Sequence, residues 1–236
     1  MTPLQVEWLG DRALLLLFGD SIDRDLNNRV HRAARHVHAA HIPGVTEIVP
    51  GYASLCIHYD PASLGVPGVA SRDALVESLC RSIGDDSNSQ GAADSLDAPE
   101  IEIPVCYGGR FGPDLREVAR HAGIDEADVI ALHAAGAYRV AMIGFAPGFP
   151  YLLGLDPRLQ APRLAQPRTR VPAGAVAIGG AQTGIYPREL PGGWRIIGQT
   201  PLVLFDAGRA TPALLSPGQR VHFRAIDAQG FAKLSR

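Results

Sequence analysis

Lysine is almost missing from this chain: of 22 basic residues only Lys233 is not an arginine. It lies outside any Gly-rich turn, so no GxxxxGKS/T phosphate loop exists, and nothing is placed for Schiff-base chemistry. Cysteine is scarce as well. Cys56, Cys80 and Cys106 are odd in number and widely spaced, which gives neither a disulfide framework nor a metal-ligand pattern. No apolar run approaches a bilayer span; the longest near the start, Ala13 to Phe18, is far too short. Glu7 and Asp11 interrupt any signal-peptide pattern, so a cytoplasmic address is expected. A net charge of −2 offers no general attraction for nucleic acid or anionic membranes.

What the chain has in abundance is concentrated. Residues 144–200 contain ten glycines and eight prolines and never run more than four residues without one. A helix needs about ten uninterrupted residues, so this stretch must be loops and short strands. Phe145, Phe149, Tyr151, Tyr186 and Trp194 give it enough apolar surface to be ordered. So long an irregular region is usually functional.

Elsewhere the patterning is ordinary. Ala13 to Phe18 reads as a buried strand, followed by a helix with Ile22, Leu26 and Val30 on one face. Its acids, Asp23 and Asp25, come early and His36, His38 and His41 come late, as a helix dipole favours. Strands are expected around 46–49 and 52–59, then a helix over 72–83 carrying Leu75 and Leu79. Residues 84–98, small and acidic, form the clearest linker. The boundaries are therefore 1–84 for a small α/β domain, 85–98 for the linker and 99–236 for a second domain. In that domain 101–105 reads as a strand, and 114–122 and 125–135 as helices, the latter with Asp125 as N-cap and Ile124 and Val129 as a hydrophobic staple. Strands at 138–143, 202–205 and 220–225 complete an α+β, mostly β chain in which a closed barrel or sandwich outweighs a parallel sheet.

No catalytic dyad stands out. Cys106 at a strand end and His133 inside a helix have nucleophile and general-base readings, with buried structural roles ahead of both. The Gly/Pro stretch is more specific. Its six arginines face only Asp156 and Glu189, a local charge of 6 − 2 = +4. Pro167 and Pro172 bracket Arg168 and Arg170, which share a side if the backbone is extended and which suit a carboxylate or phosphate. The competing reading pairs them with acids of the linker or the first domain. Gly180, Gln182 and Thr183 lie in a Gly-rich turn with backbone and side-chain donors for an oxyanion or amide. Tyr186 and Trp194 are candidate pocket walls, and Gly148 lies in the preceding Gly/Pro loop.

The segments GFAPGFPYL (144–152), PRTRVPAG (167–174), QTGIYP (182–187) and PGGW (191–194) closely resemble the B-subunit family of 5-oxoprolinases (PxpB), also described as KipI-like or as allophanate hydrolase subunit 1. GDRA (10–13), VPGY (49–52), VCYGG (105–109) and FGPDL (111–115) extend the likeness over nearly the whole chain. The resemblance implies an N-terminal ferredoxin-like α/β domain and a C-terminal cyclophilin-like β-barrel. It implies the C component of such an enzyme as a direct partner, a further A component, and the ATP-dependent opening of 5-oxo-L-proline to L-glutamate. ATP with Mg would be bound by a partner or at a shared interface. Site contacts would then come from Gly148, Arg168, Arg170, Gly180, Gln182, Thr183, Tyr186 and Trp194, with no catalytic residue assigned and no metal ligands. Two departures stand out: Gln199 where the family usually has Arg, and Ala175 where it usually has Ser. A KipI-like inhibitor of a sensor histidine kinase, or a component of a urea or allophanate carboxyltransferase system, are the alternatives.

Overall fold

In the computed structural model, which describes residues 4–64, 69–84 and 100–235, the chain divides into two compact units, Met1–Ser95 and Leu96–Arg236. The linker read at 85–98 lies outside the described residues.

The first unit runs β1 (Gln5–Trp8), β2 (Ala13–Leu17), α1 (Arg24–Ala40), β3 (Val45–Pro50), β4 (Ser54–Tyr59) and α2 (Val69–Ile83). Its antiparallel sheet has the order β1-β2-β4-β3. Strand alternation sends Leu14, Leu16, Leu55, Ile57 and Tyr59 into one core with Val30, Ala33 and Val37 of α1 and Leu75 and Leu79 of α2. Asp23 caps α1 by accepting from the Asp25 and Leu26 backbone N–H groups, both at 2.9 Å. That cap places Ile22 before the helix, where it is 49 % exposed, and not on the buried face expected of it. The buried Asn27 donates its amide to the carbonyls of Gly51 and Tyr52, tying α1 to the β3–β4 turn.

The second unit begins with β5 (Ile101–Tyr107), α3 (Leu115–Ala122), α4 (Glu126–Ala135), β6 (Tyr138–Ile143) and β7 (Pro150–Leu153). It continues with β8 (Arg168–Val171), β9 (Ala175–Gly179), β10 (Gln182–Ile185), β11 (Leu190–Gly192), β12 (Arg195–Gln199), β13 (Arg220–Ile226) and α5 (Ala228–Leu234). Seven strands close into a barrel, β10-β7-β6-β13-β5-β12-β9, in which β13 and β5 pair in parallel and the other neighbours are antiparallel. The barrel's ladder leaves no free edge, which removes the usual hazard of exposed strand backbone. β8 and β11 form a separate two-stranded ribbon.

Alternation within each strand divides the side chains between two layers. Val176 and Ile178 of β9 and Ile197 of β12 point into the barrel core, whereas Ala175, Ala177 and Ile196 join an outer layer with Phe149, Val171, Tyr186 and Trp194. Asp125 caps α4 as expected, accepting from the Asp128 N–H at 2.7 Å. Residues 202–205 do not form the expected strand. Pro201 offers no N–H, and the segment keeps a single bridge, Phe205 to Ala213. Among the described residues no helix is long and apolar enough to cross a membrane, and no three His, Cys, Asp or Glu groups are placed to hold a metal.

Candidate functional site

The Gly/Pro stretch lays an aromatic sheath over one side of the barrel. Trp194, Tyr186 and Phe149 are 5 %, 2 % and 2 % exposed, so the sheath is filled rather than hollow. Phe149 packs edge-on to Tyr186 at 5.1 Å and to Trp194 at 5.7 Å between ring centroids, and Tyr151 meets Trp194 at 5.7 Å. Edge-to-face pairs of this kind add about 0.5–1.5 kcal/mol each beyond burial.

Three glycines make the room. A Cβ on Gly179 would lie 2.5 Å from three atoms of the Trp194 indole, and one on Gly184 would lie 3.1 Å from both Trp194 and Phe149. On Gly192 it would collide with the Tyr186 hydroxyl. Burial pushes the Tyr186 phenol up. The ribbon of β8 and β11 closes the layer with Val171 and Leu190.

The β6–β7 connection, 144–149, carries the one exposed aromatic of the layer. Ala146 N–H bonds back to Gly144 O at 2.7 Å, and the residue enclosed by that γ-turn, Phe145, has φ +66°. This is the rarer, strained hand of the γ-turn, at about 1–3 kcal/mol for a non-glycine residue. Phe149 N–H then bonds to Ala146 O across Pro147 and Gly148 (φ +78°), the pattern of a type II turn. The Phe145 ring touches Phe149 at 5.4 Å and Tyr186 at 6.5 Å, yet the residue remains 59 % exposed.

The arginines are distributed differently from the sequence expectation. Arg168 forms a bidentate pair with Asp114, at 2.7 and 2.9 Å, and Asp114 also accepts from the Ile196 N–H at 2.7 Å. Asp114 thus stands at the start of α3 without capping it, spending its carboxylate on joining ribbon, barrel and helix. Arg170 meets Glu189 at 3.2 Å, and Arg195 pairs with Glu117 while donating to Pro162 O at 3.0 Å. The partner acids of Arg168 and Arg170 belong to the second unit, not to the linker or the first domain. Among the described residues Arg163 and Arg188 meet no carboxylate, and Arg163 lies over the Trp194 ring at 5.7 Å. The Asp114 knot should show in a double-mutant cycle. Asp114→Ala is expected to cost about 2–4 kcal/mol, because it strands a half-buried guanidinium and a buried N–H. Adding Arg168→Met should recover part of that loss, as read by urea unfolding.

The Gly180–Thr183 group separates. Gly180 and Ala181 are the two-residue turn of the β9–β10 hairpin, and Gly180 N–H is taken by Ala161 O at 2.8 Å. Gln182 is buried, while Thr183 faces the barrel interior and ends a closed relay. The Tyr107 hydroxyl lies 2.8 Å from His133 Nδ1, His133 Nε2 lies 3.1 Å from Thr183 Oγ1, and Thr183 donates to Ala177 O at 3.0 Å. The Thr183 bond fixes the order of donors: Tyr107 O–H to Nδ1, then Nε2–H to Oγ1. His133 is wholly buried and stacks on Phe223 at 4.6 Å, and desolvation drives its pKa down to about 3. It is a neutral structural histidine and not a base poised near neutrality. Cys106 is buried with its thiol pushed up by desolvation and by Asp227, which disfavours a nucleophilic thiolate. Gln199 donates to Ala173 O at 2.6 Å, so it holds the 172–175 turn.

Of the eight expected contacts, Tyr186 and Trp194 lie together in the sheath. Gly148 lies in the loop beside them, where an added Cβ would lie 2.7 Å from Phe205. Arg168 is tied down at the border of the layer and Arg170 is exposed on the ribbon. Gly180, Gln182 and Thr183 belong to the hairpin and the barrel wall. Sequence reasoning missed Asp114, whose role shows only when residues far apart in sequence meet. A concave groove of about 430 Å³ lies in the first unit, lined by His38, His41, Glu47 and neighbours.

Residues 4–215 match the family described as carboxyltransferase domain, subdomain C and D. The chain is 40 % identical over 227 residues to the B subunit of 5-oxoprolinase from Bacillus subtilis (strain 168), covering 96 % of this chain and 95 % of that protein. A crystal structure of TTHA0988 superposes with a TM-score of 0.76 at 38 % identity, over 92 % of this chain and 40 % of that one, so the chain spans two-fifths of that longer protein. The Kluyveromyces lactis urea carboxylase shares the fold at 22 % identity, with a TM-score of 0.70 over 98 % of this chain and 22 % of its own.

Proposed function

This chain belongs to the carboxyltransferase domain family, subdomain C and D, and from that premise we propose that it is the B subunit of an ATP-dependent 5-oxoprolinase. In this reading it acts with the A and C components of the enzyme, in the cytoplasm, to convert 5-oxo-L-proline to L-glutamate. The observation that carries the proposal is the end-to-end match to a protein of that name at 40 % identity. Proteins this similar over both their lengths rarely differ in fold, although the fold alone would leave the activity open. The first unit is read as ferredoxin-like, with β2-α1-β3-β4-α2 in that layout and β1 standing where its final strand would be. The second is read as a cyclophilin-like barrel.

The phosphate contacts expected of this chain are already committed to its own groups. A phosphate cradle needs uncommitted cations and backbone N–H groups. Here Arg168 and Arg170 face Asp114 and Glu189, and the Gly180 N–H is already bonded. ATP and Mg are therefore assigned to another part of the complex, and this chain supplies a preformed surface that completes a shared site. Arg170, exposed on the ribbon, remains the expected contact on that surface, while Tyr186 and Trp194 are buried and support it from within the layer.

Mixing this chain with its cognate A and C components is expected to give ATP hydrolysis that depends on 5-oxoproline, absent when any one of the three is omitted. Activity with urea in place of 5-oxoproline would instead favour the carboxyltransferase-type alternative, which the family description supports. A complete mixture inactive with both compounds would defeat the enzyme reading and leave the kinase-inhibitor alternative.

A further inference from the structure

The sheet of the first unit carries a thiol and an imidazole that its core does not use. In β4, alternation sends Leu55, Ile57 and Tyr59 inward, so Cys56 and His58, both half-buried, project together from the opposite face. Cys56 Sγ lies 3.7 Å from His58 Nε2. Cysteine spacing does not reveal this pair, because the partner is a histidine two positions on and shares a side only in a strand.

The separation has a chemical meaning. A tetrahedral metal ion with sulfur at about 2.3 Å and nitrogen at about 2.0–2.1 Å holds those two atoms about 3.6 Å apart. The pair therefore already stands at the bite of such an ion. The contact it makes now is the weak hydrogen bond of a thiol, so little is lost when an ion replaces it.

The surroundings favour a cation over a bare thiolate. Burial, and then the charge of Glu47, push the Cys56 thiol up, and Glu47 stands opposite His58 on β3. A carboxylate that opposes a thiolate attracts a dication and offsets its charge. Leu15 and Val49 are the cross-strand neighbours of Cys56, and apolar neighbours keep the local dielectric low.

We propose that Cys56 and His58 form a binding site for a divalent metal ion of the zinc class, with Glu47 balancing its charge and water completing the coordination. On binding, the thiol gives its proton to solvent, and its sulfur and the His58 Nε2 lone pair become the ligands. Thiolate with imidazole selects zinc or cobalt over magnesium and calcium. The site is independent of the 5-oxoprolinase reading.

The test is zinc titration of the untagged full-length chain by calorimetry, with cobalt as the spectroscopic probe. A single zinc site is expected, and cobalt should give a thiolate-to-metal charge-transfer band in the near ultraviolet. Cys56→Ser and His58→Gln should each weaken zinc binding at least about 30-fold, and Glu47→Gln about tenfold. Cys80→Ser, which alters an exposed thiol on α2, should bind as wild type does. Alkylation of the wild-type chain needs no variant to fold: zinc should slow iodoacetamide labelling of Cys56 and leave that of Cys80 unchanged. A wild-type chain that binds no zinc, a Cys56→Ser variant within twofold of wild type, or Cys56 labelling that zinc does not slow would each overturn the proposal. Zinc binding lost in His41→Gln but kept in Cys56→Ser would overturn it in favour of the His38 and His41 pair, whose ring centroids lie 6.0 Å apart.

Discussion

Replacing His133 with alanine is expected to cost about 3–5 kcal/mol, the upper end of single-residue effects. Two losses combine. The barrel interior keeps a cavity beside Phe223, and the buried Tyr107 hydroxyl loses its acceptor. His133→Phe separates them, because it refills the volume and leaves only the hydroxyl unpaired. Urea unfolding at pH 7 should place it between wild type and His133→Ala.

The same residue makes stability depend on pH. The folded pKa, about 3, lies below the unfolded value near 6.5. Between those values the unfolded chain binds a proton that the native chain does not. His133's contribution is therefore complete above about pH 6.5 and is lost as the pH falls toward 3, by about 1.4 kcal/mol per unit. At pH 4.5 the loss is roughly 3 kcal/mol, since the window spans two units. Carboxylates titrate in the same range, so the useful quantity is the wild-type pH dependence minus that of His133→Phe. A difference near zero between pH 7 and 4.5 would mean that the imidazole is not held neutral.

Gly179→Ala is expected to be nearly as damaging although it adds one methyl group. That methyl would sit 2.5 Å from the indole of Trp194, which is buried and has no space to retreat. Overpacking of this kind costs about 1–3 kcal/mol, and here the ring would also leave its contacts with Phe149 and Tyr151. In a Trp8→Phe background the only indole is Trp194. Its emission should move to longer wavelength in the glycine variant as the ring meets water. An unshifted spectrum with unchanged stability would mean that the barrel wall yields rather than the ring.

These glycines explain how far the sequence could be read. Spacing of Gly and Pro excludes helix from 144–200, and the structure has none there beyond one short turn. The apolar run at 138–143 finds β6, and the cap at Asp125 marks the start of α4. Ile22 misleads because one turn of helical spacing extends past the true cap. The segment 202–205 misleads because its hydrophobicity belongs to a buried loop residue, Leu204, and not to a ladder. At the site, richness in arginine is legible but its neutralisation is not. Asp114 lies 54 positions before Arg168, and nothing local links them. Thr183 shows the same limit, since its place in the barrel wall follows from strand register alone.

The parallel pairing of β5 with β13 sets the order in which this protein can be made. Ile101 faces Val221, 120 positions later (221 − 101), and the other neighbour of β5, β12, is also synthesised long after it. At ribosomal rates of about 5–20 residues per second, β5 waits roughly 6–24 s for its last partner. The antiparallel sheet of the first unit, all of whose strands lie within residues 5–59, has no such wait. Vectorial synthesis therefore completes one unit's sheet while the other still has both edges of its first strand open, and that interval is when the nascent chain most needs a chaperone.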